Sequence, residues 1–315
     1  MLRDRNIVVT GGCGFIGSNL AEKLCEENNV TVIDNLCSGK VENIRDFTEK
    51  VVFHKLDIRN EIEGYFTDID IVFHEAANVF IEKSIQEPFY DAYVNVLGTL
   101  NVLEACRKND VERLVFASSS AVYGNPIFLP IREDHPLNLD SPYAASKAAG
   151  EYYCRVYNEL YGLETVMLRY FNVYGRRQDP FNPYSGVIAV FMNNALNNKS
   201  LTIYGNGEQI RDFIHIDDVV RANLLASKTK KGIGGIFNIG TGEAVSIDQL
   251  AEMIRGFRAV GIEYAPPRLG DIEKSVANTS NAMKVLKFKA MISLSKGLKE
   301  YFSWFVENSN GQDRG

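Results

Sequence analysis

The chain has no run approaching ~18 uninterrupted apolar residues, so no segment reads as a membrane-crossing helix. Proline is scarce, nine in 315 residues, and Gly/Ser/Pro linkers and internal repeats are absent, which excludes tethered modules and solenoids. Positive charge is also in deficit. Lys and Arg number 34 against 40 Asp and Glu, a net charge of −6, the wrong sign for a protein whose task is to grip a phosphate backbone. Nucleic acid is therefore not expected as a partner. The five cysteines (Cys13, Cys25, Cys37, Cys106, Cys154) form no C-x-x-C and have no His close enough to share zinc, so reduced thiols and no metal are expected. Met1 to Asn6 runs straight into a strand without a signal-peptide apolar region, which points to the cytoplasm. What is present, 45 % hydrophobic and 23 % charged residues, suits a globular protein with a large core.

Apolar runs of strand length alternate with helical stretches, the mark of βαβ units around a parallel sheet. Strands are expected at Ile7–Thr10, Val30–Asp34, Val51–Asp57, Ile71–His74, Leu114–Ser118 and Thr165–Tyr170, and helices at Gly17–Glu26, Tyr90–Arg107 and Tyr143–Tyr161. The run Ile236–Gly240 should return to the same sheet. This gives an α/β fold, a doubly wound parallel sheet of Rossmann type with a smaller interleaved α/β lobe. Residues 1–173 with 211–245 would form the sheet domain, and 174–210 with 246–315 the lobe.

Gly11-Gly12-Cys13-Gly14-Phe15-Ile16-Gly17 follows the first strand and opens the first helix, matching both G-x-x-G-x-x-G and G-x-G-x-x-G. Glycines allow the tight turn and the close approach of backbone to a pyrophosphate, whose charge then rests on the helix N-terminal amides. Asp34 ends the second strand about 20 residues later, where a carboxylate can accept both ribose hydroxyls and repel a 2′-phosphate. With no Arg beside it, NAD is favoured over NADP. Asp57, ending the third strand, could take the adenine amino group or merely cap its own loop.

Ser118-Ser119-Ser120-Ala121-Val122-Tyr123-Gly124 closes the fifth strand, and Pro142-Tyr143-Ala144-Ala145-Ser146-Lys147 opens a helix. Tyr143 and Lys147 stand at i and i+4 and share a face. An ammonium beside a phenol favours phenolate, so the pair reads as a general base with a pKa lowered from ~10.

With these motifs the sequence resembles the extended short-chain dehydrogenase/reductase family, and within it the UDP-glucose (UDP-galactose) 4-epimerases and their N-acetylhexosamine relatives, from Val8 to about Trp304. The resemblance implies a catalytic triad of Ser119, Tyr143 and Lys147. Ser119 is aligned through Val122-Tyr123-Gly124, with Ser118 and Ser120 as neighbouring candidates. It implies cofactor contacts from Gly11, Gly14, Phe15, Ile16, Gly17, Asp34, Asn35, Ser38, Gly39, Asp57, Ile58, Ala76, Asn95, Ser118, Tyr143, Lys147 and Tyr170. Later motifs, Arg169-Tyr170-Phe171-Asn172, Ile203-Tyr204-Gly205, Arg211-Asp212-Phe213 and Arg268-Leu269-Gly270-Asp271, imply a UDP-sugar site. Asn172, Arg211 and Arg268 would hold the diphosphate, Tyr204 would face the uracil and Asp271 a ribose hydroxyl, with Gly186 and Val187 nearby and Ser275 beside the sugar C2 substituent. Dehydratases and decarboxylases of this family place acidic residues beside the active serine. Here the neighbours are Ser118, Ser120 and Ala121, which favours 4-epimerisation through a transient 4-keto sugar. The rivals are a UDP-hexuronate 4-epimerase and a dinucleotide-sensing protein without turnover. The resemblance also implies a homodimer.

Overall fold

A computed structural model describes residues 2–180, 186–267 and 271–309. In chain order the strands begin with β1 (Asn6–Thr10), β2 (Asn29–Asp34), β3 (Val51–Lys55), β4 (Ile71–His74), β5 (Arg113–Ser119) and β6 (Glu164–Tyr170). There follow β7 (Asn172–Tyr174), β8 (Leu201–Tyr204), β9 (Ile210–Arg211), β10 (Phe213–His215), β11 (Ile236–Ile239), β12 (Val245–Ser246) and β13 (Ile262–Ala265). Seven of them form one sheet in the order β11-β6-β5-β4-β1-β2-β3, all neighbours parallel. The doubly wound sheet is as expected, and Ile236–Gly240 does return to its edge. Strand β3 stops two residues short of Asp57, which falls in the following turn.

Side chains alternate across the sheet with period two and divide between two cores. Ile7, Val9, Val115 and Ala117 face one side, under α1 (Phe15–Leu24). Val8, Leu114 and Phe116 face the other, under α4 (Gly98–Lys108) and α5 (Pro142–Tyr161). Ser141 caps α5 by accepting the Ala144 amide at 3.2 Å, Pro142 occupies its first turn, and Gly162 in the left-handed region (φ +73°) ends it.

The helix expected at Tyr90–Arg107 is built from three pieces. After α2 (Ile81–Gln86), α3 (Pro88–Ala92) runs through a π-helical turn, Tyr93–Leu97, into α4. That wider turn buries Asn95, whose side chain accepts the Asn78 amide at 2.8 Å and donates to the Asn78 carbonyl at 2.9 Å. A third core lies in the lobe, where Ile188, Phe191 and Met192 of α6 (Val187–Leu196) meet Leu201 and Ile203 of β8. Leu250 and Ile254 of α8 (Ile247–Arg255) and Leu298 and Tyr301 of α10 (Leu294–Ser309) complete it. The packing runs across the expected division. Ala282 and Leu286 of α9 (Ser280–Leu286), in the stretch assigned to the lobe, pack into the sheet core beside Val219 and Ala222 of α7 (Ile216–Ala226). Among the described residues no helix is long and apolar enough to cross a membrane.

Candidate active site

The chain leaves β1 toward β2 on one side and β4 on the other, and a crevice opens at the carboxyl ends of the strands where the direction reverses. One long cavity occupies it. Gly11, Gly14, Phe15, Ile16, Gly17, Asp34, Asn35, Ser38, Asp57, Ile58 and Ala76 line it toward β1 to β4. Ser118, Ser119, Tyr143, Tyr170, Asn172 and Gly186 line its other end.

Gly11 has φ +69°, and a Cβ there would stand 2.6 Å from the Ala76 nitrogen; one on Gly17 would stand 2.2 Å from the Gly11 carbonyl oxygen. Only glycine fits either position. The first turn of α1 has neither a side-chain cap nor an acidic residue, so its amides remain available to an anion. Asp34 accepts the Cys13 amide at 2.9 Å and the Leu36 amide at 2.7 Å. Burial raises its pKa while these amides pull it back. Each carboxylate oxygen keeps a second lone pair, so Asp34 is fixed in place yet able to accept ribose hydroxyls. Gly39 packs under it, since a Cβ there would come within 2.8 Å of Asp34 Oδ2. These features fit a bound dinucleotide.

Two cofactor candidates are already engaged by protein partners. Arg59 clamps Asp57 with two hydrogen bonds of 2.8 and 2.7 Å, and Asn35 donates to it at 2.7 Å. The guanidinium holds that carboxyl well below the usual range, so Asp57 organises the cavity edge before any adenine arrives. Asn95 does not line the cavity. Its amide is consumed by Asn78 and, at 2.9 Å, by Asp91, so it shapes the Asn78 loop that does.

At the other end Ser119 stands at the last position of β5, its hydroxyl accepting the Ala121 amide at 3.1 Å and lying close enough to the Tyr143 phenol to favour its ionised form. Ser118 is engaged instead by Glu151, inside the buried Arg169–Glu151 ion pair. The Lys147 ammonium donates to the Ala117 carbonyl at 2.8 Å and lies 5.9 Å from the Tyr143 ring centre. Burial lowers the Lys147 pKa to about 8. Burial likewise pushes Tyr143 up to about 12, with the Ser119 hydroxyl acting downward. The expected depression of the phenol by Lys147 is therefore not a property of the chain alone. Desolvation outweighs the ammonium, which is turned toward Ala117.

The lobe residues are less assembled. Arg211 donates to Asp271 at 2.5 Å, so two residues expected to hold different parts of one ligand hold each other. Tyr204 ends β8 with 38 % of its surface exposed, Val187 packs toward the lobe core, and Ser275 is buried with its amide on the Ile210 carbonyl at 2.9 Å. None of these five lines the cavity. Arg268 lies outside the described residues.

Sequence reasoning missed one charged cavity residue, Glu75, and two buried residues that support the site, Ser84 and Asp91. Ser84 on α2 accepts the backbone amide of Tyr143 at 3.1 Å, a donor that the start of α5 leaves without a helical partner. Glu75 lines the cavity and accepts the Tyr170 hydroxyl at 3.0 Å. Asp91 is fully buried, receiving Asn78 and Ser146 at 2.8 and 2.7 Å. The available signal was a charged residue just beyond a strand end, Glu75 in His74-Glu75-Ala76-Ala77.

The sequence pattern of the NAD dependent epimerase/dehydratase family matches residues 7–240. The chain belongs to this family. Among similar members, a UDP-glucose 4-epimerase of Mycolicibacterium smegmatis is 38 % identical over 313 residues, with 96 % of this chain and 99 % of that protein covered. A UDP-N-acetylglucosamine 4-epimerase from Methanobrevibacter ruminantium, solved with UDP-N-acetylmuramic acid, superposes with a TM-score of 0.94 at 39 % identity, covering 98 % of this chain and all of the other. A UDP-glucose 4-epimerase from Thermus thermophilus, solved with NAD, gives 0.88 at 38 % identity, covering 96 % and 99 %.

Proposed function

We propose that the protein is an NAD-dependent UDP-hexose 4-epimerase that interconverts UDP-glucose with UDP-galactose and accepts the N-acetylated pair as well. The observation that carries this reading is the meeting of Ser119 and Tyr143 at one end of the cavity whose other end holds the glycine turn and Asp34, with the Lys147 ammonium 5.9 Å from the Tyr143 ring and with Ser118, Ser120 and Ala121 rather than an acid around the serine. When bound, NAD supplies the acceptor and later the donor of the C4 hydride, and a formal positive charge in its oxidised form. Tyr143 takes the 4-hydroxyl proton and gives it back to the same oxygen once the keto sugar has turned its other face to the cofactor. Ser119 donates to the developing ketone oxygen, and Lys147 holds positive charge behind the phenol. No carboxylate flanks Ser119 in sequence to draw a second proton from the keto sugar, so return of hydride completes the cycle.

Asp34 and the glycine turn hold NAD, while Arg268 and Asp271 of the lobe, with Asn172 and Arg211 at its border, receive the nucleotide sugar. Residues 1–173 with 211–245 carry the cofactor, and the remainder, joined by Asn172 and Arg211, the substrate. The protein works as a homodimer in the cytoplasm. Phe89, Tyr93 and Leu97 on one helical face and Tyr152, Val156 and Leu160 on the adjoining α5 are all substantially exposed, Phe89 at 91 %, which suits a face covered by a second copy. Sedimentation of wild type and Leu160→Asp tests this; a wild-type monomer overturns it. Incubation with UDP-glucose, UDP-N-acetylglucosamine and UDP-glucuronate in separate reactions tests the activity. Turnover of the glucuronate alone would transfer the assignment to a hexuronate epimerase. Bound NAD without turnover of any sugar would leave a sensing protein.

A further inference from the structure

The reaction as described leaves Glu75, a charged group of the cavity lining, without a task. Glu75 sits one residue beyond β4, its amide bonded to the Thr10 carbonyl at 3.1 Å. The β4–β5 ladder pairs Phe73 with Val115 and His74 with Phe116, so the next step sets Glu75 beside Ala117, whose carbonyl receives the Lys147 ammonium at 2.8 Å. From β6, the Tyr170 hydroxyl reaches Glu75 Oε1 at 3.0 Å. Asn223 occupies the acceptor side of that hydroxyl through Nδ2 at 2.9 Å. The hydroxyl proton then has two destinations, Glu75 Oε1 and Asn223 Oδ1 at 3.1 Å, and an ionised carboxylate is the stronger acceptor.

We propose that Glu75 is the counter-charge of the catalytic pair, a carboxylate held by Tyr170 at the end of β4, and that it decides over which pH range the pair works. Other titratable groups face this region, among them Glu151 and Cys154 of α5, both of which favour the charged form of Lys147. Tyr143 and Lys147 come from α5, and Asp91 from α3 adds a second negative charge toward Lys147. His74, on the strand itself, is held between Thr10 at 2.7 Å and Thr99 at 3.0 Å, and burial drops its pKa to about 3, so it stays neutral. Burial raises Glu75 to about 7 and lowers Lys147 to about 8, while each pulls the other toward its charged form. A window in which both are charged lies between those values. Within it Glu75 preserves the positive charge behind Tyr143 that desolvation would otherwise remove.

This inference rests on the 4-epimerase reading only for its kinetic part. The test uses full-length protein carrying carbon-13-labelled lysine, with the Lys147 Cε signal assigned by comparison with Lys147→Met, and the alkaline limb of kcat measured in parallel. In Glu75→Gln, which can still accept the Tyr170 hydroxyl, the Lys147 midpoint and the alkaline limb should both move down by roughly one pH unit, as loss of a charge at this range predicts. Glu75→Asp, which keeps the charge, should stay near wild type. An unmoved midpoint in Glu75→Gln, or equal shifts in both variants, overturns the proposal and leaves Glu75 a packing residue. Should neither variant fold, wild type decides: the Lys147 signal must show a second inflection near 7 from Glu75, and a single inflection overturns the idea. Absence of turnover on every UDP-sugar with the Lys147 shift intact defeats the epimerase reading and spares this one.

Discussion

The two halves of the candidate site are built to different degrees. On the sheet side, Gly11, Asp34, Ser119 and Tyr170 sit at the ends of strands whose registers and cores fix them, and they line one cavity together. On the lobe side, Arg211 and Asp271 pair with each other, Tyr204 is partly exposed and Ser275 lies under backbone. There the supports are two-stranded ribbons, β9 with β12 and β8 with β13, and loops. A seven-stranded sheet preorganises whatever its strand ends carry. A ribbon of two strands leaves charged side chains to find each other until a ligand offers something better, as a diphosphate does to an arginine fork.

If this contrast is right, damage on the sheet side should strike chemistry and damage on the lobe side should strike affinity. The largest effect is expected from Tyr143→Phe, which removes the proton acceptor and leaves the cavity walls in place. Turnover should fall ~10²–10⁴-fold while NAD content and UDP-sugar affinity persist. Single-turnover kinetics alongside calorimetric titration would check both halves, and full activity in the variant would move the base to another residue.

Arg211→Ala comes next. Loss of a charged hydrogen bond to the diphosphate should weaken UDP-sugar binding by about 1.5–3 kcal/mol, roughly 10–100-fold, with bound NAD unchanged. Calorimetry with UDP-glucose measures it. Loss of NAD together with substrate would break the comparison, because the halves would then not be separable.

A smaller and more selective change is expected from Asp34→Ala, since NAD keeps its pyrophosphate and nicotinamide contacts. NAD should bind on the order of 10-fold more weakly, and discrimination against NADP should relax as the repelling carboxylate goes. Denaturing the purified protein and assaying the released nucleotide reads the balance. Recovery of mostly NADP from wild type would overturn the cofactor assignment.

The same contrast governs what could be read from the sequence. The sheet was legible because buried parallel strands are apolar throughout and the glycine turn is a local motif; only their ends moved, as where Asp57 left β3 for the turn. The Tyr143–Lys147 spacing was legible because i, i+4 is a local geometry. What stayed hidden joins distant parts of the chain. Ser84 reaches Tyr143 across 59 residues and Glu75 reaches Tyr170 across 95, and no periodicity reports such meetings. The π turn was hidden for a related reason: Asn95 is turned inward by Asn78, 17 residues away, as well as by Asp91 one turn earlier. Desolvation of Tyr143 was hidden too, since the sequence shows its charged neighbour but not how completely both are buried.

The last prediction probes the lobe where the structure says least about fit. Ser275 is small and 6 % exposed, and it follows Lys274, which bridges to Ile210 beside Arg211. If the sugar C2 substituent approaches this segment, a serine leaves room for an acetamido group to turn with the 4-keto ring. UDP-N-acetylglucosamine should then be epimerised at least as well as UDP-glucose. Ser275→Tyr should suppress the acetylated reaction severalfold while sparing the plain one, because an occluding ring rejects the larger group by overlap. Both substrates should be assayed on both proteins together with thermal unfolding, since a tyrosine forced into a buried position can also destabilise the loop. A selective loss with an unchanged melting temperature places Ser275 at the pocket wall. Equal loss on both substrates with a lowered melting temperature makes it a packing residue, and substrate breadth must then be set by the sheet side after all.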